Sequence, residues 1–147
     1  MRYVIQVSKD KAGYIAMCRE FPEFVATAAD LEVLSRLAIK NLSSIIASYL
    51  ASSHYVPESP VKDGSKYVWH PPISLRLKIA ISNGIIEKGW TRDDFAEAMG
   101  LTPPSITNLF NIEISTRFST IDKAFRVLGL YPRLEIIPMR NDLLAES

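Results

Sequence analysis

The chain has 147 residues, 48% of them hydrophobic and 22% charged, with 17 Lys and Arg against 16 Asp and Glu and a formal net charge of +1. This composition suits one ordinary domain or two small ones with a real core and excludes a disordered chain, while the longest apolar runs, Leu42 to Leu50 and Ile79 to Ile86, fall short of the roughly 20 residues of a bilayer crossing. Balanced charge means that nucleic-acid affinity must come from local placement of cations, and a single cysteine, Cys18, excludes an intrachain disulfide and a thiolate metal cluster.

Met1 leads directly into Arg2-Tyr-Val-Ile-Gln-Val-Ser8, an alternating run that predicts a strand and not a signal peptide, so a cytoplasmic protein is expected. Ser8 to Ala12 is polar and predicts a turn, and Gly13-Tyr-Ile-Ala-Met-Cys18 resumes extended character, which makes a hairpin. Phe21-Pro22 should break the chain, after which Phe24 to Thr27 can form a third strand before Asp30, a helix cap. Leu34, Leu37, Ala38, Leu42, Ile45, Ile46 and Tyr49 recur at helical spacing and predict one long amphipathic helix against the sheet. Pro57-Glu-Ser-Pro60, Lys62-Asp-Gly-Ser65 and Pro71-Pro72 then punctuate the middle of the chain, with a strand-like Lys66-Tyr-Val-Trp-His70 among them. An N-terminal module over residues 1–70, ordered strand, strand, strand, helix, strand, is therefore expected.

After Pro72 the pattern turns helical, with Leu75, Ile79, Ile85 and Ile86 for burial and Gly89 to stop the segment. Thr91-Arg-Asp-Asp94 has capping-box spacing, and Ser119-Thr-Ile-Asp122 repeats it. The helix opened there should bury Ile121, Ala124, Phe125 and Leu128 and end at Gly129, before Arg133-Leu-Glu-Ile-Ile137 alternates as a final strand. The predicted architecture is α+β, with an all-α second domain over residues 73–138, a terminal strand, and a tail over 139–147.

Between the two capping boxes lies a constellation with function in it. Two short helices crossing tightly need a small residue at the contact, which Ala96 supplies, and a turn residue that tolerates positive φ, which Gly100 supplies. Phe95, Met99, Leu101, Ile106 and Leu109 would close a small core, with Thr102 as the cap of the second helix and Pro103 in its first position. Ser105, Thr107, Asn108 and Asn111 then face outward, short polar side chains suited to base edges in a major groove. Such a helix-turn-helix points to DNA. Asn108 fits bidentate contact with adenine and Thr107 a thymine methyl, with Thr102, Ser105 and Arg117 on the backbone and Lys123 and Arg126 as phosphate partners. Asp93, Asp94 and Glu97 should turn the first helix of the pair away from the duplex, except near Arg92.

With both halves placed, the chain resembles the HicB antitoxins of HicA/HicB toxin-antitoxin systems, in the subgroup with a C-terminal helix-turn-helix. The likeness is carried by Met1-Arg-Tyr3, Gly13-Tyr14, Phe21-Pro22, the long helix and Val56-Pro57, and more specifically by Ile106-Thr-Asn-Leu-Phe-Asn111, Thr116-Arg-Phe118 and Leu128-Gly129. The sequence departs at Glu23, where the family commonly has a small residue, and at Asn108, where Arg is frequent. The resemblance implies a partial ribonuclease-H-like N-terminal domain that binds and blocks a small ribonuclease toxin, a DNA-binding end that represses the shared operon, and dimers or higher oligomers. Pairing of Arg133 to Ile137 with a second copy would suit such an assembly. A basic, RNA-shaped toxin surface calls for complementary acids and apolar anchors, which places it at Glu20 and Glu23, with Asp10 beside them, and at Tyr14, Phe21 and Phe24. Core packing of the aromatics is the ordinary alternative.

Catalysis is not expected. A ribonuclease-H-like site needs clustered carboxylates on its first strand to hold metal ions, and Arg2 to Val7 has none. His54 and His70 lack neighbours at metal-ligand spacing, so neither a metal nor a cofactor is predicted. The rival to an antitoxin is a stand-alone helix-turn-helix repressor whose N-terminal module binds a ligand or oligomerises.

Overall fold

The computed structural model describes residues 1–60 and 67–139. Lys62 to Ser65, Lys66 and residues 140–147 of the tail lie outside the described residues. The elements are β1 (Tyr3–Val4), β2 (Gln6–Asp10), β3 (Gly13–Cys18), β4 (Phe21–Ala28), α1 (Leu31–Ala51), β5 (Val68–Trp69), α2 (Ile73–Glu87), α3 (Arg92–Met99), α4 (Pro103–Leu109) and α5 (Phe118–Leu128). They fall into two compact units, Met1–Ile46 with Pro57–Pro71 and the chain from Ile137, and Ala47–Val56 with Pro72–Ile136.

In the first unit β2, β3 and β4 form an antiparallel meander, with Gln6 facing Met17 and Met17 facing Val25 across the strands. The run from Arg2 to Val7 is not one strand. It divides at Ile5: β1 pairs with β5, and β2 pairs with β3. The Ile5 amide donates to Tyr67 O at 2.9 Å. The hairpin turn is tighter than the polar stretch suggested, because β2 runs to Asp10, whose carboxylate accepts the Ala12 and Gly13 amides. Gly13 has φ +140, and a Cβ there would lie 2.4 Å from Ala28 O, so no side chain fits. β4 also begins earlier than expected and passes through Pro22 without breaking. Cys18 faces Phe21 and Met17 faces Val25, so Pro22 stands in an irregularity where the ladder asks no N–H of it.

Ala16, Cys18, Phe21, Phe24 and Ala26 are buried on the inner sheet face, as are Leu34, Ala38, Leu42 and Ile46 of α1. α1 is capped by Asp30, whose carboxylate accepts the Val33 amide at 2.9 Å. Tyr3 lies at the aromatic centre, its ring 5.4 Å from Phe21 and 5.9 Å from Trp69 between centroids. Its buried hydroxyl has no hydrogen-bond partner among the described residues, and burial pushes its pKa up. Since an unmade buried hydrogen bond is a cost, Tyr3→Phe is expected to melt at the same temperature or higher. A lower melting temperature would reveal a polar partner for the hydroxyl.

In the second unit the Asn83 amide makes a two-way bridge to Val56, accepting from its N–H and donating to its C=O, each at 2.9 Å. This fastens the segment after α1 to α2. α5 departs from expectation at its start. Ser119 is not its cap: the helix opens at Phe118 after an extended Arg117 with no side-chain cap, and Asp122 instead pairs with Arg126 at 3.0 Å. The expected final strand is also absent from the single chain. Arg133 to Ile137 has no strand neighbour among the described residues, and Leu134 and Ile136 are 71% and 87% exposed. Alternation alone forms no ladder without a partner.

Candidate DNA interface

α3 opens on the predicted capping box. The Thr91 amide donates to Asp94 Oδ2 at 2.9 Å, and the Asp94 amide donates to Thr91 Oγ1 at 3.1 Å. Gly100 ends the helix at φ 69, ψ 31, the left-handed region where glycine is least strained, and Leu101 N–H returns to Ala96 O. Phe95, Ala96, Met99, Ile106 and Leu109 are buried, together with Ile121, Ala124, Phe125 and Leu128 of α5. Leu101 is only half-buried. Phe110, which the sequence reading left out, takes a core place, its ring centroid 6.4 Å from that of Phe95.

α4 is the helix expected to read bases. Thr102 caps it, accepting the Ser105 amide at 3.4 Å, and Pro103 and Pro104 occupy its first turn. The two prolines have no N–H and the Ser105 amide is taken, so the start of α4 offers a phosphate little main-chain donation, and anchoring falls to side chains. Ser105, Thr107 and Asn108 are exposed while Ile106 and Leu109 are buried. Thr107 Oγ1 donates back to Pro103 O at 3.2 Å. Asn111 is exposed after the helix, its side-chain oxygen accepting the Glu113 amide at 2.9 Å. Thr102, Ser105, Thr107, Asn108 and Asn111 are thus all exposed.

The predicted phosphate partners divide. Arg117 is exposed at the start of α5. Arg126 is exposed and shared with Asp122. Lys123 is exposed too, and its Nζ donates to Met99 O at 2.9 Å at the end of α3, where a cation meets the negative end of the helix. Arg92 is half-buried. Its guanidinium donates to Leu50 O and Ser82 Oγ and lies 3.8 Å from the Phe110 ring centroid. Burial pulls its pKa down to about 10, which leaves it a cation at neutral pH. Such long side chains turned to main-chain carbonyls leave no periodic trace in a sequence. Asp93, Asp94 and Glu97 are exposed on α3.

The predicted toxin-facing residues of the first unit are not one surface. Phe21 and Phe24 are 0% and 1% exposed; both belong to the inner face of β4 and cannot anchor a partner. Tyr14 is half-buried with Lys9 Nζ 5.4 Å from its ring centroid. Glu20 is half-buried and accepts from Cys18 Sγ at 3.3 Å, and burial pushes that thiol up to about 12. Glu23 is exposed. The exposed apolar pair is instead Met17 and Val25, facing each other across β3 and β4. Strict alternation from the buried Ala16 and Cys18 was the signal for it.

Among the described residues, no three of His, Cys, Asp and Glu are grouped to hold a metal ion, and no helix is long and apolar enough to cross a membrane.

A helix-turn-helix family model matches residues 85–135, which contain α3, α4 and α5. Over most of its length the chain is similar to proteins named as antitoxins. It is 24% identical to Antitoxin HicB 2 of Photorhabdus laumondii over 137 residues, covering 93% of this chain and 97% of the relative. It is 24% identical to Antitoxin HicB 1 of the same organism over 88% of this chain and 83% of that one. Antitoxin HicB of Escherichia coli is 22% identical over 88% of this chain and 94% of its own. Along most of its length the chain is therefore similar to HicB antitoxins, and its residues 85–135 match a helix-turn-helix whose caps, turn and core are all in place.

Proposed function

We propose that this chain neutralises a small HicA-like ribonuclease toxin through its first unit and represses its own operon by inserting α4 into the major groove. One observation supports the second half above all: the exposed face of α4 holds Ser105, Thr107 and Asn108 while Ile106 and Leu109 seal the other side. Side chains of that length reach base edges when a helix lies in the groove. Asn108 reads adenine, Thr107 meets a thymine methyl, and Thr102, Ser105, Asn111 and Arg117 hold the backbone. Arg126 adds a phosphate contact when it leaves Asp122, and Lys123 acts through the end of α3.

For the first unit we propose a partial ribonuclease-H-like fold used for binding and not for catalysis, in a cytoplasmic protein. The toxin meets the outer sheet face, where Met17 and Val25 are the apolar anchors and Glu23, with Glu20 at the margin, faces its basic surface. Self-association is proposed through Arg133 to Ile137, whose exposed Leu134 and Ile136 and open main-chain groups suit a strand from a second copy. Paired α4 helices then reach half-sites about one helical turn apart.

The test is co-expression of the tagged chain with its neighbouring gene, followed by mass measurement of what is captured and an RNA-cleavage assay. The expected result is equimolar capture of a small basic protein, a complex holding two or more copies of the chain, and no cleavage until the two are separated. A chain that binds its promoter but captures no such protein would be a stand-alone repressor.

A further inference from the structure

Lys78 lies within α2 and is only 3% exposed. A buried lysine ordinarily needs a carboxylate. This one donates from Nζ to two main-chain oxygens instead, Asn111 O and Ile114 O, each at 2.8 Å. Both belong to the turn that follows α4. Asn111 O also accepts the Ile114 amide at 3.2 Å, so the ammonium closes a turn that already folds on itself. Burial lowers the lysine pKa, the direction expected of a cation held by dipoles without a counter-charge.

What surrounds the contact gives it consequence. The turn does not pack flush on α2: a concavity of about 310 Å³ opens between them, lined by Ile73, Leu77 and Lys78 on one side and Ile114, Thr116 and Phe118 on the other. Across that gap the ammonium is a polar strut. The segment it holds carries Asn111 and leads to Arg117, two of the residues assigned to the DNA face. Misplacing such groups by an ångström is enough to lose a well-aligned contact.

We infer that Lys78 is a positioning residue for DNA binding, one that sets the height of the Asn111–Arg117 segment against the duplex without touching the duplex itself. This rests on the reading of α4 as the recognition helix. A phosphate-binding lysine would be exposed and would contribute to the salt dependence of binding, whereas Lys78 should contribute nothing to it.

The test compares the full chain with Lys78→Met, which keeps an apolar stem of similar reach, Lys78→Gln, which keeps two donors without the charge, and Lys78→Arg, which keeps the charge. Expected for Lys78→Met are a folded protein by circular dichroism and shifted amide resonances from Asn111 to Arg117 in the free protein. Its affinity for a promoter fragment should fall about tenfold or more, with the slope of log affinity against log salt unchanged. Lys78→Arg should return to within about threefold of the parent. Promoter affinity of the folded Lys78→Met within about twofold of the parent would overturn the inference. So would a salt slope smaller by about 0.9, the mark of a lost phosphate contact. Failure of both Lys78→Met and Lys78→Gln to fold would make the residue a general requirement of the fold, which also overturns it. If the parent chain itself ignores the promoter, the reading of α4 has failed, and the resonances of the free protein still decide whether Lys78 sets the turn.

Discussion

Phe95→Ala is expected to destabilise the second unit by about 3–5 kcal/mol, the range for truncating a fully buried phenylalanine. Phe95 is 0% exposed and lies in α3, with the Phe110 ring that follows α4 beside it. The cavity left behind would be lined by three short helices, α3, α4 and α5, none of which is stable in isolation. Against a total stability of about 5–15 kcal/mol for a small protein, that loss should abolish promoter binding through the fold of the site and not through its contacts. Each unit has its own tryptophan, Trp69 in the first and Trp90 in the second. Urea unfolding followed by fluorescence in a Trp69→Phe background therefore reports the second unit alone. A loss below about 1 kcal/mol would mean that α3 and α4 are not held by this core.

Asn108→Ala should act in the opposite way, on contact and not on fold. Asn108 is exposed on α4, so its removal should change stability by no more than about 0.5 kcal/mol. If its amide reads adenine through paired hydrogen bonds, specific promoter binding should weaken by about 1–3 kcal/mol. Non-specific binding, which the backbone phosphates supply, should stay close to its original strength. Toxin neutralisation should be untouched, because it is assigned to the other unit. Equal loss of both activities would reject that division of labour.

The elements most legible in the sequence were those marked by local chemistry. Thr91 and Asp94 cap α3, Gly100 stops it, and Thr102 and Pro103 start α4, each a device that works within a few residues of chain. The long α1 was legible for a similar reason, since Asp30 caps it and its apolar positions repeat at helical spacing. Contacts between distant residues were not. The split at Ile5 depends on β5, more than sixty residues on. Pro22 survives inside β4 only because the facing register shifts there. Ser119 and Asp122 had the right spacing for a cap, yet the cap position falls two residues earlier, at Arg117, and Asp122 bonds to Arg126.

The candidate site divides along the same line. The outward face of α4 followed from helical geometry around Ile106 and Leu109. Cations were harder, because Lys and Arg carry their charge far from the backbone position that the sequence reveals. Lys78, Arg92 and Lys123 all donate to carbonyl oxygens, partners that their positions in the sequence do not reveal. In the first unit Phe21 and Phe24 of β4 were offered to a partner, yet both are buried, because the irregularity in the ladder turns two residues three apart to the same face.

The central claim is that α4 presents its polar face to base-pair edges. Fluorescence anisotropy across a salt series, comparing the chain's own promoter fragment with a shuffled fragment of the same length, tests it most directly. The account predicts promoter binding tighter by about a thousandfold or more at physiological salt, with both affinities falling as salt rises. Equal affinity for the two fragments at every salt concentration, or binding to neither, would contradict it.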